Sequence, residues 1–398
     1  MSLKRAHNIA ALRLMAKQRL PRMVFDYIDG GAEDEVTLRQ NTNRFREIPL
    51  LWDALVDISK IDTAGSVFGQ KTRLPFFISP TASSRLFSPR GGERAVARAA
   101  AKAGIAYSVS TLGSTAIEDV AKATPGPKLF QIYVWKDRGL VRDILSRVRE
   151  ADFAGIVLTV DVPVAGNRER DHVNDFTIPP KVTPRTALQA IVKPGYMLDL
   201  ASTPKITAAN FDHLNLDMGI IDFINTQFDR SVTWRDAEWL QETWNGPMAI
   251  KGVATPADAA RCAAMNAKVW VSNHGGRQLD TSPATIDLLP AIVEAVGGKT
   301  EIIFDGGVRR GSDIVKALAL GAGAVAIGRA YLYGLAAAGE AGVSRAIDVL
   351  ESEFVRTMAL IGRTRVGDLG PDVLGRATPA RESTPSVPLV RKPLAGGA

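Results

Sequence analysis

The stretch Lys268-Val-Trp-Val-Ser-Asn-His-Gly-Gly-Arg-Gln-Leu-Asp-Thr281 says most about the fold of this chain. Its first residues are rich in β-branched and aromatic side chains and predict a strand, and the two glycines let the backbone turn sharply after it. His274 and Arg277 lie on that turn. An imidazole accepts a proton near neutral pH, and a guanidinium holds a carboxylate through two hydrogen bonds. The stretch therefore indicates a strand end that carries a base and a carboxylate anchor.

Seven other runs of β-type residues recur along the chain, and a polar or glycine-rich turn follows each. The eight predicted strands are residues 74–79, 105–109, 129–134, 155–160, 248–251, 268–272, 301–304 and 324–327. Helical patterns follow most of them, as in 92–103, 257–265 and 312–319. Repeated alternation predicts a parallel α/β sheet, and eight copies predict a closed (β/α)8 TIM barrel. A doubly wound open sheet is the alternative, but Pro80-Thr-Ala-Ser-Ser84 lacks the glycine-rich dinucleotide pattern.

Polar side chains stand at the carboxyl ends of these strands, where (β/α)8 barrels have their active sites. They are Thr81, Ser110, Gln131, Tyr133, Thr159, Asp161, Lys251, Asn273, His274, Asp305 and Arg329, together with Gly328. A structural cap would explain any single one, whereas the whole ring indicates a site for a polar ligand. No metal site is predicted.

The last two strand ends indicate phosphate binding. Asp305-Gly-Gly-Val-Arg-Arg-Gly-Ser312 and Ile327-Gly-Arg329 bring backbone amides and arginines together, with a helix expected from Ser312. In barrels this is the usual phosphate position, because the N–H groups and the helix dipole face an anion. For either segment alone, an ordinary glycine loop is the alternative.

The composition describes a globular protein with a large core, since 46% of the 398 residues are apolar and 23% are charged. The single cysteine, Cys262, excludes an internal disulfide and fits a reducing compartment. A net charge of +7 favours anionic ligands or an anionic membrane surface. Nucleic acid is the poorer interpretation, because the basic residues are scattered.

We expect one (β/α)8 domain over residues 1–370, with two short N-terminal helices on either side of Leu20-Pro21. A long insertion, about residues 177–235, separates the fourth and fifth strands. It is interpreted as a lid or a disordered segment; peripheral membrane contact is the alternative, because basic residues stand there among apolar ones. Residues 371–398 are expected to lack fixed structure.

These pieces together resemble the FMN-dependent (S)-2-hydroxy-acid oxidase and dehydrogenase family, which includes glycolate oxidase, L-lactate dehydrogenase and (S)-mandelate dehydrogenase. Ser272-Asn-His-Gly-Gly-Arg-Gln-Leu-Asp280 is the most specific motif, and Asp305-Gly-Gly-Val-Arg-Arg-Gly311 and Phe130-Gln-Ile-Tyr-Val134 support it. The insertion, Gly166-Asn-Arg-Glu-Arg-Asp171 and Tyr331-Leu-Tyr-Gly334 are most similar to the mandelate and membrane lactate dehydrogenases. The resemblance implies a flavoprotein with FMN that forms a homotetramer.

Carried over to this chain, the resemblance makes His274 the base and Asp161 the carboxylate that orients it. Arg277 and Arg168 would hold the substrate carboxylate. The resemblance also implies that Tyr27 and Tyr133 add hydroxyl donors. The residues that it places against FMN are Pro80, Thr81, Ala82, Ser110, Gln131, Thr159, Lys251, Ser272, Asp305, Gly307, Arg309, Gly328 and Arg329.

The chemistry of the residues agrees with this resemblance. Oxidation of a 2-hydroxy acid to the 2-oxo acid needs a base, a carboxylate clamp and an electron sink. His274, Arg277 and FMN supply them in that order. Hydride transfer, with His274 taking the hydroxyl proton, is preferred, and a carbanion route stays open.

Two smaller residues bear on the substrate. Leu112 and Ala165 stand where glycolate oxidase has a tryptophan and a leucine, so we expect lactate- to mandelate-type acids in a larger pocket. A quinone or cytochrome is the expected electron acceptor. Ala82 is similar to the oxidases, which keeps an oxygen-using, peroxide-producing oxidase as the alternative. A cytoplasmic location, with the inner face of the cell membrane as a peripheral contact, is expected.

Two more distant interpretations remain. One is another FMN barrel of the isopentenyl diphosphate isomerase type, against which the His–Arg arrangement counts. The other is a flavin-free barrel that binds a phosphate ligand.

Overall fold

Eight parallel strands close into a barrel in the computed structural model, which describes residues 2–176, 189, 191–214 and 226–375. The barrel strands are β3 (Phe76–Ile78), β4 (Tyr107–Ser110), β5 (Lys128–Ile132), β6 (Gly155–Thr159), β7 (Met248–Val253), β8 (Lys268–Val271), β9 (Ile302–Phe304) and β10 (Ala324–Ile327). They follow one another around the barrel in chain order, and β10 pairs with β3 to close it. The predicted (β/α)8 fold is confirmed.

A short antiparallel hairpin precedes the barrel and was not predicted from the sequence. It consists of β1 (Gly65–Val67) and β2 (Gln70–Thr72). Val67 and Phe68 are buried in the inner cluster of the barrel. The hairpin therefore covers part of the barrel interior.

Side chains along each barrel strand alternate between two cores, as the two-residue period of a strand requires. Phe77, Val157 and Trp270 point into the barrel and form its inner cluster. Outward residues such as Leu158 and Val269 pack against the surrounding helices. Because the strands are parallel, their carboxyl ends meet at one mouth of the barrel.

The helices form the outer layer. Those that the structure describes are α1 (Ile9–Arg19), α2 (Arg22–Asp29), α3 (Val36–Asn43), α4 (Gly92–Lys102), α5 (Ile117–Ala123), α6 (Arg138–Glu150), α7 (Glu169–Val173), α8 (Pro194–Ala201), α9 (Trp234–Trp244), α10 (Pro256–Ala264), α11 (Thr285–Val296), α12 (Gly311–Ala319) and α13 (Arg329–Leu360). α13 is kinked at Ala338 and Gly339.

Helix α6 shows how the sequence specifies this layer. The side chain of Asp137 caps its first turn by accepting from the backbone N–H of Gly139 at 2.7 Å. Val141, Ile144, Leu145 and Val148 are buried at the spacing of one helical face, and charged residues occupy the other face.

The N-terminal segment contains one helix more than the sequence predicts. α1 and α2 lie on either side of Pro21 as expected. α3 was missed because its sequence, Val-Thr-Leu-Arg-Gln-Asn-Thr-Asn43, has few apolar residues and no helical period. α3 packs against the turn that carries His274 and thus helps to build the site.

The insertion is described only in part, and residues 177–188, 190 and 215–225 lie outside the described residues. Within it, α8 packs onto the barrel because Tyr196 is buried and donates to the backbone oxygen of Leu86 at 2.9 Å. Tyr196 is therefore not part of an exposed apolar face, which membrane contact by the insertion would require. No helix in the described part of the chain is long and apolar enough to cross a membrane.

The start of the predicted unstructured tail is corrected by the structure. Pro371–Val373 forms a 3-10 turn, and Val373 is buried. The backbone oxygen of Val373 accepts from the N–H of Leu51, which ties this turn to the N-terminal segment. The rest of the expected tail, from 376 onward, lies outside the described residues.

Candidate active site

The turn after β8 has an unusual backbone. His274 has φ +56°, followed by Gly275 at +66° and Gly276 at +74°. Glycine adopts these angles readily, whereas a non-glycine residue seldom does. A side chain at Gly276 would also meet the backbone nitrogen of Leu38 in α3 at 2.6 Å. The turn therefore needs both glycines, and it presents the imidazole of His274 at the mouth of the barrel.

Asp161 orients the imidazole ring of His274 through a hydrogen bond. His274 Nδ1 lies 2.8 Å from Asp161 Oδ1, and its backbone N–H donates to Ser272 Oγ at 3.1 Å. Since Nδ1 is occupied by the carboxylate, Nε2 is the nitrogen left for a substrate. This is the arrangement of an oriented general base.

Lys251 links two carboxylates behind the imidazole. Its Nζ lies 3.6 Å from Asp161 Oδ2 and 3.8 Å from Asp305 Oδ2, and it donates to Ser272 Oγ at 3.0 Å. Burial would lower the pKa of Lys251, but the two carboxylates outweigh it and raise that pKa. Lys251 is therefore a fixed positive charge at the centre of the site.

The charges around His274 set its protonation. Burial lowers the pKa of His274 below its usual range, and the nearby charge of Asp161 only partly opposes this shift. Burial would raise the pKa of Asp161, yet Lys251 and His274 outweigh it and keep that pKa low. At neutral pH the site thus holds a neutral imidazole beside an ionised carboxylate.

Two arginines form an anion site next to this base. Burial and the charge of Arg168 lower the pKa of Arg277 to about 9, because both destabilise its charged form. No carboxylate of the described residues lies within ion-pair distance of Arg277. Arg168 Nη1 lies 3.9 Å from Asp171 Oδ2, but its buried Nε has no hydrogen-bond partner in the same part of the chain. A carboxylate ligand would relieve both groups.

The Arg277 guanidinium is already oriented by the end of α2. Its Nη1 donates to the backbone oxygens of Tyr27 at 2.6 Å and Gly30 at 3.1 Å, and the group lies 4.9 Å from the centre of the Tyr27 ring. Phe176 stacks on the same ring at 4.5 Å. These contacts leave the remaining guanidinium N–H groups for a ligand.

One cavity joins these groups with most of the residues predicted to bind FMN. It opens to solvent, and about 1130 Å³ of space lies within it when this open part is included. Its walls include Tyr27, Pro80, Thr81, Ala82, Ser110, Leu112, Gln131, Tyr133, Thr159, Arg168, Lys251, His274, Arg277, Asp305, Gly307, Arg309, Gly328 and Arg329. Asp161 and Ser272 lie behind this wall, where they contact His274 and Lys251.

The placement of Ala165 differs from the sequence prediction. Ala165 is exposed and is not among the residues that line the cavity. The chain stays close to the site here, since Gly166 packs against the backbone of Arg277 and Arg168 lines the cavity, but the side chain of Ala165 lies outside it. The argument for a larger substrate pocket therefore depends on Leu112.

The cavity fits FMN on the evidence of its own polar atoms. In the part of the chain that the structure describes, Gln131 Nε2 and Thr159 Oγ1 are buried without a hydrogen-bond partner, and both residues line the cavity. Buried polar atoms of this kind need a partner, and the heteroatoms of a flavin ring would supply it. Gly328 has open space where a side chain would stand, at the N-terminus of α13, so backbone N–H groups there can face a phosphate.

Arg329 also joins two segments of the structure, which the sequence does not indicate. Its guanidinium donates to the backbone oxygens of Ile28, Gly30 and Gly275 at 2.6–2.8 Å. Arg329 thus fastens the end of α2 to the turn after β8 while it lines the cavity. Its role toward the phosphate stays a prediction.

Some residues of the cavity were missed from the sequence. Ile28, Phe87 and Leu332 line it, and Trp270 donates from below to Asp305. Apolar and aromatic residues in loops and strands resemble core residues in a sequence, so no local signal distinguishes them. A barrel whose mouth holds a His–Asp pair, an anion site and a cavity that fits FMN indicates a flavin-dependent oxidoreductase.

Comparison with known proteins agrees with this class. Residues 16–376 match the FMN-dependent dehydrogenase family. An L-lactate oxidase of Nostoc is 43% identical over 92% of this chain and 97% of its own length. Glycolate oxidase 1 of Oryza sativa subsp. indica is 42% identical over 91% of this chain and 94% of its own length. The crystal structure of the monotopic membrane protein (S)-mandelate dehydrogenase has a TM-score of 0.89 and 38% identity, over 93% of this chain and 99% of that one.

The chain therefore belongs to the FMN-dependent dehydrogenase family, and FMN is its cofactor. Lactate, glycolate and mandelate are all 2-hydroxy acids, so these relatives share one reaction class. The chain is an enzyme of this FMN-dependent class.

Proposed function

We propose that this enzyme oxidises an (S)-2-hydroxy acid of the lactate to mandelate type to the 2-oxo acid, with His274 as the base. The observation that carries the proposal is the meeting, in one FMN-sized cavity, of the His274–Asp161 pair with Arg277 and Arg168. A base beside a two-arginine anion site matches a substrate whose reacting hydroxyl is on the carbon next to a carboxylate.

The mechanism follows from the positions of these groups. Bound FMN would accept the hydrogen of the α-carbon together with the two electrons, as a hydride. Arg277 and Arg168 hold the carboxylate, which places the hydroxyl group near His274. His274 Nε2 takes the hydroxyl proton, and Asp161 stabilises the imidazolium through Nδ1. Burial raises the pKa of Tyr133 above its usual range, so its hydroxyl keeps the proton and can donate to the substrate.

Lys251 would serve the cofactor. Among the residues lining the cavity it is a buried cation that two carboxylates hold in place. A positive charge beside the flavin ring favours the reduced, anionic form. The residues present therefore fit FMN, and Gln131, Thr159 and Asp305 would hold it.

A direct experiment tests this function. We expect the purified protein to show a flavin spectrum, which lactate and mandelate should bleach under anaerobic conditions. Failure of every 2-hydroxy acid to bleach a protein that contains FMN would contradict the substrate class. A colourless protein that binds phosphate ligands would instead support the flavin-free barrel.

For the electron acceptor we propose a quinone or cytochrome, with oxygen as the second candidate. The similarity to the structure of a monotopic membrane (S)-mandelate dehydrogenase supports the first, and the L-lactate oxidase relative supports the second. The reduced enzyme should be reoxidised faster by a short-chain quinone than by air, with little hydrogen peroxide. Peroxide in equal amount to the oxidised acid would make the protein an oxidase.

Peripheral membrane contact belongs to the same proposal. Ile191 and Val192, just before α8, are 72% and 63% exposed, and Leu198 within α8 is 68% exposed. Such a group of apolar side chains suits the surface of a bilayer. If the enzyme meets its quinone at the bilayer surface, the protein should sediment with anionic vesicles. A protein that stays in solution would contradict this membrane contact. The homotetramer stays a prediction.

Leu112 should control the length of the accepted side chain. We expect Leu112→Trp to lower kcat/KM for mandelate on the order of 10- to 100-fold, because the indole would fill space that a phenyl ring needs. Steady-state rates with mandelate, 2-hydroxyoctanoate, lactate and glycolate measure this. Glycolate has no side chain and serves as the internal control. A parental preference for glycolate, or equal losses for all four acids, would contradict the pocket argument.

A further inference from the structure

Trp270 lies in the interior of the barrel, directly below the active site. On β8 it points inward, while its neighbours Val269 and Val271 point toward the helices. It is fully buried, and its ring packs edge-on against Phe77 with 5.3 Å between ring centroids. Packing alone would explain a large apolar ring at this position, but not an indole.

The indole N–H makes a polar contact toward the site. Trp270 Nε1 donates to Asp305 Oδ2 at 3.0 Å, and the same oxygen lies 3.8 Å from Lys251 Nζ. Asp305 Oδ1 has no hydrogen-bond partner among the described residues, and Asp305 lines the cavity. One oxygen of this carboxylate is thus held from below, and the other is free for a ligand.

The hydrogen bond from Trp270 fixes the orientation of the Asp305 carboxylate. At 3.8 Å the lysine is an ion-pair partner without a short hydrogen bond to Asp305. A hydrogen bond to an ionised acceptor is stronger and more directional than one between neutral groups. Without the indole N–H, Asp305 could turn toward Lys251 and draw its free oxygen away from the cavity.

We propose that Trp270 is a positioning residue for the cofactor, whose indole N–H holds Asp305 so that Oδ1 accepts from the ribityl hydroxyls of FMN. This depends on FMN binding and not on the identity of the hydroxy acid. Asp305 is the group that touches the cofactor, and Trp270 acts through it.

The test is the affinity of the apoprotein for FMN. Trp270→Phe keeps a large ring in the barrel but removes the donor, and we expect it to weaken the Kd for FMN about tenfold. Titration followed by quenching of flavin fluorescence measures this. Phe77→Leu is the matched control, because it removes a ring from the same inner layer without touching the hydrogen bond. It should lower Tm and leave the Kd for FMN unchanged.

A second pair of variants tests the route of the effect. In an Asp305→Ala background, Trp270→Phe should change the Kd for FMN by less than about twofold, since the group it positions is gone. The inference is overturned if Trp270→Phe binds FMN as the parent does, or if its loss persists in that background. An equal loss in Phe77→Leu would reduce Trp270 to a packing role and also overturn it. A parent protein that does not bind FMN would instead contradict the cofactor assignment.

Discussion

His274→Ala is expected to lower kcat about 10²–10⁴-fold or more while FMN stays bound. In the proposed mechanism the imidazole is the neutral base, and Asp161 orients it at 2.8 Å. Its loss removes the proton acceptor but leaves Gln131, Thr159 and Lys251 to hold the flavin. Stopped-flow reduction of FMN by the substrate measures the effect on the chemical step directly.

His7→Ala is the matched control, because His7 is exposed and contacts only the backbone oxygen of Arg5 among the described residues. It should keep the parental rate. Parental turnover in His274→Ala would contradict the assignment of the base. Loss of FMN from that variant would show that the histidine supports the cofactor instead.

The pH profile offers a second measure of the same residue. A base must be neutral to accept a proton, so kcat/KM falls as pH drops through the pKa of His274. Burial lowers that pKa, and we therefore expect the acidic limb below pH 6.5. Asp161 raises the pKa of His274, so Asp161→Asn should move the limb to still lower pH. A limb above pH 6.5 in the parent would contradict this environment.

Arg277→Met is expected to lower kcat/KM for a 2-hydroxy acid about 10²–10³-fold, since it removes a buried cation that pairs with the substrate carboxylate. The low pKa of Arg277, about 9, shows that this cation gains from an anionic partner. We expect most of the loss to appear in KM, and Arg277→Lys to recover only part of it, because an ammonium cannot form the paired contact.

An uncharged substrate provides the control for Arg277. The amide of the same hydroxy acid lacks the carboxylate charge, so the parent and Arg277→Met should oxidise it at similar rates. Arg277 also donates to the backbone of Tyr27 and Gly30, and its loss could displace the end of α2. Equal losses for the acid and its amide would assign Arg277 to this structural task.

The Trp270–Asp305 contact and the exposure of Ala165 could not be predicted from the sequence. The sequence predicts a strand that includes Trp270, yet nothing in that strand indicates that the indole reaches Asp305, the residue after β9. Ala165 follows the strand end so closely that the sequence predicts it at the pocket, but its side chain is exposed and lies outside the cavity. Both depend on side-chain direction after the barrel has closed.

By itself, the sequence determined the eight strands, their order and the residues at their carboxyl ends, because strand period and glycine turns are local properties of the chain. It also placed His274 and Arg277 on one turn, since they follow the end of β8 by three and six residues. The tertiary structure alone decided that Asp161 meets His274 across 113 residues and that Lys251 lies between two carboxylates. The physical reason is barrel closure. The distances between strand ends depend on the register of neighbouring strands, which only the closed barrel fixes. The charged groups shift one another's pKa values only once they are buried together.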